Sequence, residues 1–319
     1  MQFSRRMDNL APYLFAGIEL KIAEKRKQGV DVISLGIGDP DIPTPAYIVE
    51  EMQRQVADPR NHRYPSNRGL LEYGEAATAF YKRRFGVELD PEKEFMALLG
   101  AKEGLAHICM ALLDAGDLAL VPDPGYPVYA GGSIMMGAEV KYLELRPENG
   151  FLPDFEAVPL PVRKAAKLMF LNYPNNPTGA VADLDFFSRA VDFARENEII
   201  IVHDCAYSEV RYDGYATHSI LEVEGAGDVA IEMHSFSKTF NMTGWRVAWA
   251  CGGADFVAAL SKAKSNIDSG TFMAVQRAGI AALGNYDGFI GELNAEYQRR
   301  RDASRRIGGD VVAQQKSQG

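Results

Sequence analysis

Short apolar runs alternate along the chain with longer stretches in which apolar residues recur every three to four positions. The runs at residues 95–99, 118–121, 167–171, 199–202 and 229–233 have the length of strands, and residues 140–145 alternate. The stretch from 104 to about 113 sets Leu105, Ile108, Cys109 and Leu112 on one face, as a helix lying on a sheet does. Asp183 stands at the N-cap position of a second such stretch, which runs to about Asn197. Helices are also predicted at 18–28, where Gly29 stops the pattern, at 47–55, at 71–85 and from 286 to about 301. Residues 32–35 read as a short extended run. Residues 36–45 and 64–69 read as loops from their glycine and proline content. Apolar strands alternating with amphipathic helices predict an α/β fold, a mostly parallel sheet with helices on both faces in three layers. No internal repeat or low-complexity linker breaks the pattern.

At 319 residues the chain has material for one large domain or two ordinary ones. Its net charge of −9 speaks against nucleic acid as a partner. Cys109, Cys205 and Cys251 are odd in number, far apart and set in apolar segments, which argues for a reducing compartment rather than a disulfide framework. The five histidines have no metal-ligand spacing, so no metal is expected. The first residues lack the apolar core of a signal peptide, and no apolar run has the length of a membrane span. A cytoplasmic protein is the expectation.

Candidate chemistry gathers where the predicted strands end, the edge at which open α/β sheets bind ligands. Ser235-Phe236-Ser237-Lys238 follows one strand, with Arg246 eight residues beyond the lysine. A lysine with a lowered pKa attacks carbonyls, and serines with an arginine suit a phosphate. Lys238 reads either as a Schiff-base lysine for a phosphorylated aldehyde, pyridoxal phosphate, or as a lysine in a polar loop. Gly100-Ala101-Lys102-Glu103-Gly104 reads as a helix start offering N–H groups to phosphate, or as a plain turn. Tyr126 stacks on a flat ring or simply packs. Asn176 donates to a phenolic oxygen or closes a turn. Asp204 ends an apolar strand, so its carboxylate needs a partner: a pyridinium N–H, a helix cap or an ion pair. Tyr207, three residues on, offers a hydroxyl. The Gly36-Ile37-Gly38 stretch lacks the third glycine and the following helix of a dinucleotide fingerprint, which speaks against a dehydrogenase.

The order and spacing of Asn176-Pro177-Thr178-Gly179, Asp204-x-x-Tyr207 and Ser235-x-Ser237-Lys238 with Arg246 resemble the fold type I (class I and II) aminotransferases. The resemblance runs from the N-terminus to about Asp302, and includes Pro12-Tyr13-Leu14-Phe15, the 35–41 loop and Lys264–Gly270. It implies pyridoxal phosphate as cofactor, with Lys238, Asp204 and Tyr207 as catalytic residues. Lys238 would carry the cofactor and then act as general acid and base, and Asp204 would pair with the ring nitrogen. Tyr207 and Asn176 would bond the ring oxygen, and Tyr126 would stack on the ring. Ala101, Lys102, Ser235, Ser237 and Arg246 would hold the phosphate, joined by Tyr64 of a neighbouring subunit, so a homodimer is implied. Tyr13, Gly38, Lys102, Tyr126, Asn176, Asn266 and Ser269 would face substrate. The implied reaction exchanges LL-2,6-diaminopimelate and 2-oxoglutarate with tetrahydrodipicolinate and glutamate, a step of lysine biosynthesis. Another amino-acid aminotransferase or a β-lyase of the same fold is the alternative.

The resemblance divides the chain into an N-terminal arm and small-domain segment (1–37), a large cofactor-binding domain (38–285) and the start of an interdomain helix (286–302). Residues 303–319 depart from the family pattern and read as a disordered tail. Family members continue there into a second domain, whose arginine binds the substrate carboxylate. The expectation is a complete cofactor site with an incomplete substrate site, and with it an impaired enzyme or an inactive cofactor-binding fragment.

Overall fold

A computed structural model of the chain describes residues 4–308, apart from 11, 13, 35 and 37. Its centre is one sheet of seven strands: β1 (Phe95–Leu98), β2 (Leu118–Asp123), β3 (Glu139–Glu144), β4 (Ala166–Asn172), β5 (Ile200–Asp204), β6 (Ala230–Ser235) and β7 (Ala248–Gly252). The order across it is β1-β7-β6-β5-β4-β2-β3. Neighbours are parallel except around β7, which runs antiparallel to both β1 and β6. Six strands fall where the apolar runs place them. β7 has no counterpart among the predicted strands, because Ala-Trp-Ala-Cys-Gly holds no β-branched residue and no alternation. Its burial on both sides makes it a strand regardless.

Alternate residues of the strands feed two apolar layers. Met96, Leu98, Phe170, Val202, Met233 and Ala250 pack on the helices Ala101–Leu112, Val128–Met136 and Ala254–Lys264. On the opposite face, Ala97 and Trp249 meet the helices Leu71–Phe85 and Met273–Gly284, while Met169, Leu171 and Ile201 meet the helix Leu184–Asn197. Asp183 caps that last helix, its Oδ1 accepting the Phe186 N–H at 2.8 Å. Cys109, Cys205 and Cys251 are free thiols, all buried in these layers. Val32 to Ser34 form no regular element.

The last helix, Tyr286–Gly308, is seated on the domain by polar contacts. Buried Glu209 takes the Arg84 guanidinium at 3.2 Å and the Tyr286 hydroxyl. Tyr297 donates to Asn241 Oδ1 at 2.9 Å, Arg300 to Asp41 at 2.6 Å and Arg301 to Asp213 at 2.6 and 2.8 Å. The helix corrects the expected boundary at Asp302: residues 303–308 are helical, because the charged Arg-Asp-Ala-Ser-Arg-Arg segment continues a pattern already anchored upstream. Residues 309–319 lie outside the described residues.

Candidate active site

Because all strands but β7 run one way, their carboxyl ends share an edge, and reversed β7 brings its amino end, with Arg246 just before it, to the same edge. Asp204 closes β5 and is only 5% exposed. Its Oδ2 accepts the Tyr129 hydroxyl at 2.8 Å and its Oδ1 the Ala206 N–H at 3.3 Å. Burial raises the Asp204 pKa above the usual carboxylate range, against the Tyr129 hydrogen bond, which lowers it. An ionised carboxylate offers about four acceptor positions, so two such bonds leave capacity for another N–H. Beside it, Asn172 closes β4 in register with Asp204. Its Nδ2 donates to the Asp204 carbonyl at 2.8 Å and its Oδ1 accepts the Asn176 N–H at 2.7 Å, which fixes the Asn176 turn to the end of β5. The phenol of Tyr207 is pushed up to about 12, first by burial and then by the Asp204 charge. Tyr129 stacks on Phe170 at 4.9 Å and meets Tyr126 edge-on at 5.8 Å. The Lys102 ammonium lies 5.9 Å over the Tyr126 ring.

Lys238 sits in the one-turn helix Phe236–Thr239 that follows β6. Its Nζ donates to the Gly38 carbonyl at 2.7 Å. Burial lowers its pKa and Arg246 adds to that, while Asp39 opposes it. Lys238 and Tyr207 face a cleft of about 250 Å³, lined also by Gly38, Asp39, Asp41, Tyr297 and Arg300. Ser235 Oγ accepts the Ser237 N–H at 3.1 Å and keeps its own proton to donate. Arg246 has φ +54 and donates to the Thr243 carbonyl at 2.8 Å. Its guanidinium crosses Gly100 so closely that a Cβ there would stand 2.1 Å from Nη2. Gly100, at φ +87, precedes the first turn of the helix Ala101–Leu112, whose leading N–H groups have no helical acceptor.

The structure therefore brings Ala101, Lys102, Tyr126, Asn176, Asp204, Tyr207, Ser235, Ser237, Lys238 and Arg246 to one edge, with Gly38 over the lysine. Tyr64 stands apart at 86% exposed. Asn266 and Ser269 are exposed in a loop whose Gly270 packs against Pro65 and Ser66, next to Tyr64. Tyr13 lies outside the described residues.

A sequence model of the family described as aminotransferase class I and II matches residues 30–307. The chain belongs to this family. Among relatives of this aminotransferase, the LL-diaminopimelate aminotransferase of Moorella thermoacetica is 55% identical over 302 residues, covering 95% of this chain and 77% of that protein. The enzyme of the same name from Desulforudis audaxviator is 56% identical over 299 residues, 94% of this chain and 76% of that protein. Among solved structures, substrate-bound BacF from Bacillus subtilis superposes with a TM-score of 0.93 at 40% identity, over 96% of this chain and 78% of that one. As an aminotransferase, the protein is an enzyme that moves an amino group between an amino acid and a 2-oxo acid. No helix among its described residues is long and apolar enough to cross a membrane.

Sequence reasoning passed over three residues of this aminotransferase site. Tyr129 holds Asp204, and its signal is a tyrosine in the first turn of the helix Val128–Met136, just after the end of β2. Asn172 closes a strand as Asp204 does, but an asparagine there reads as a turn residue. Asp39 acts on Lys238 across some two hundred positions of sequence, and no spacing rule reaches that far.

Proposed function

We propose that this aminotransferase holds pyridoxal 5′-phosphate at the shared strand edge and transfers an amino group from LL-2,6-diaminopimelate to 2-oxoglutarate, yielding tetrahydrodipicolinate and glutamate. The observation that carries the substrate is the agreement of relatives: eight, at 50 to 56% identity over 93 to 98% of this chain, bear the name LL-diaminopimelate aminotransferase. Two features of the chain fit the cofactor. Gly100 leaves room for the Arg246 guanidinium at a helix start, which is a place for a phosphate. Asp204 is a buried carboxylate with acceptor capacity left, which is a place for a cationic ring N–H.

In this reading Ala101 and Lys102 (through backbone N–H), Ser235, Ser237 and Arg246 hold the phosphate. Tyr126 lies against the ring, and Tyr207 and Asn176 bond its oxygen. Bound there, the group supplies an aldehyde carbon and a ring that accepts an electron pair. Lys238, with its lowered pKa, is the base that moves the proton at the substrate Cα, and Asp204 keeps the ring nitrogen protonated. Gly38, Asn266 and Ser269 face substrate. Tyr64, exposed on its own chain, reaches the phosphate site of a second copy, which makes the enzyme a homodimer with shared sites. The three free cysteines agree with a cytoplasmic home.

The test is glutamate formation from LL-2,6-diaminopimelate and 2-oxoglutarate after loading with pyridoxal phosphate, with aspartate as the rival donor. Glutamate formed from aspartate but not from LL-2,6-diaminopimelate overturns the substrate. No visible absorption change on adding pyridoxal phosphate overturns the cofactor. Lys238→Ala should abolish that absorption change and lower turnover by roughly 10²–10⁴-fold.

A further inference from the structure

Lys264 ends the helix Ala254–Lys264, and its side chain is completely buried. Lysine is rarely found so deep unless it is paired. Here Nζ lies 3.1 Å from Glu103 Oε1 and 2.5 Å from Asp268 Oδ2. Each carboxylate spends its other oxygen on a backbone N–H. Glu103 Oε2 accepts from Leu99 at 2.9 Å, directly before Gly100, and Asp268 Oδ1 accepts from Gly270 at 2.7 Å. His107 Nδ1 closes the group at 2.6 Å from Glu103 Oε1. Gly270 has φ +87 and packs so tightly on the next segment that a Cβ there would stand 3.0 Å from the Ser66 carbonyl and 3.1 Å from Pro65 Cγ.

We infer that Lys264 is a positioning residue: its ammonium locks the 266–270 loop to the start of the helix Ala101–Leu112, and so fixes the phosphate-binding end of that helix relative to the substrate-facing loop and the Tyr64 segment. The cation thus ties the 266–270 loop to the helix start, and Gly270 in turn packs that loop on the Tyr64 segment, so three stretches distant in sequence are held together. Two of them carry residues assigned to cofactor phosphate and the third residues assigned to substrate. The ammonium fills the space between the two carboxylates that a bound cation would take. The inference rests on the reading that the helix start holds the cofactor phosphate.

The experiment compares the full chain with Lys264→Met and with the triple variant Glu103→Gln, Lys264→Met, Asp268→Asn, which leaves no buried charge unpaired if the single variant fails to fold. Amide hydrogen exchange is read at Leu99 and Gly270 without cofactor. Affinity is then read for pyridoxal phosphate and for pyridoxal, which lacks the phosphate. Exchange should quicken at both amides, and the affinity ratio of pyridoxal phosphate to pyridoxal should fall on the order of tenfold, as misplaced binding groups cause. A lysine that serves stability alone would leave that ratio unmoved. An unchanged ratio overturns the inference, as does unchanged exchange at both amides. A wild-type chain that takes up no pyridoxal phosphate overturns the cofactor reading instead, and the exchange result then decides whether Lys264 locks the two segments.

Discussion

A methyl group on residue 100 would collide with Arg246. The position has φ +87, which costs an L-residue roughly 1–2 kcal/mol, and its Cβ would lie 2.1 Å from the guanidinium. Gly100→Ala is therefore expected to lower stability by about 1–2 kcal/mol and also to push Arg246 off the helix start, weakening phosphate binding. Thermal melting reads the first effect and the affinity ratio of pyridoxal phosphate to pyridoxal the second. Asp204 gives a prediction with a definite sign. Burial raises its pKa above 3.8, so in the cofactor-free protein it binds a proton more readily than in the unfolded chain. Its contribution to stability is full below the unfolded value and is lost as pH rises through the folded one. A cationic partner on the carboxylate reverses that loss. The melting shift produced by pyridoxal phosphate should thus grow as pH rises through this window, measured between about pH 4 and pH 8, and Asp204→Asn should flatten the dependence. An equal slope in both proteins would leave Asp204 without the ring-nitrogen role.

At the scale of elements, six strands were legible because they are short runs, apolar or alternating, of strand length. The chemistry at their carboxyl ends was legible for the same reason, since Lys238, Asp204 and Asn176 each follow a run within a few residues. β7 was not legible: what makes Ala248–Gly252 a strand is its place between β1 and β6, a tertiary fact. The extension of the last helix to Gly308 is similar, since Glu209, Asn241, Asp41 and Asp213 hold its body and all lie far away in sequence. The predicted cap at Asp183 did form, and its cost can be measured. Asp183→Ala should destabilise the protein by about 1 kcal/mol, read in urea unfolding as a lower midpoint with unchanged slope.

Across the whole molecule, the site depends on one reversed strand. Parallel strands alone deliver their carboxyl ends to the edge, so a residue that precedes a parallel strand lies at the far side. Arg246 precedes its strand and still reaches the start of the helix Ala101–Leu112, because β7 runs backwards. The same wrapping makes the site non-local. Gly38 meets Lys238, Gly100 meets Arg246 and Glu103 meets Lys264, so this edge forms only when the early and late parts of the chain have come together.

The three thiols can serve as a clock for that assembly. Cys109 lies on a helix, Cys205 just past β5 and Cys251 within β7, and none shows more than 1% of its surface. A thiol reagent can touch them only when the layers part, so the labelling rate counts openings of the molecule. The expectation is one common slow rate for all three, quickened equally by urea and slowed equally by pyridoxal phosphate, as followed by mass spectrometry of the labelled peptides. If Cys109 labels well ahead of the other two, the helix Ala101–Leu112 comes loose before the sheet does.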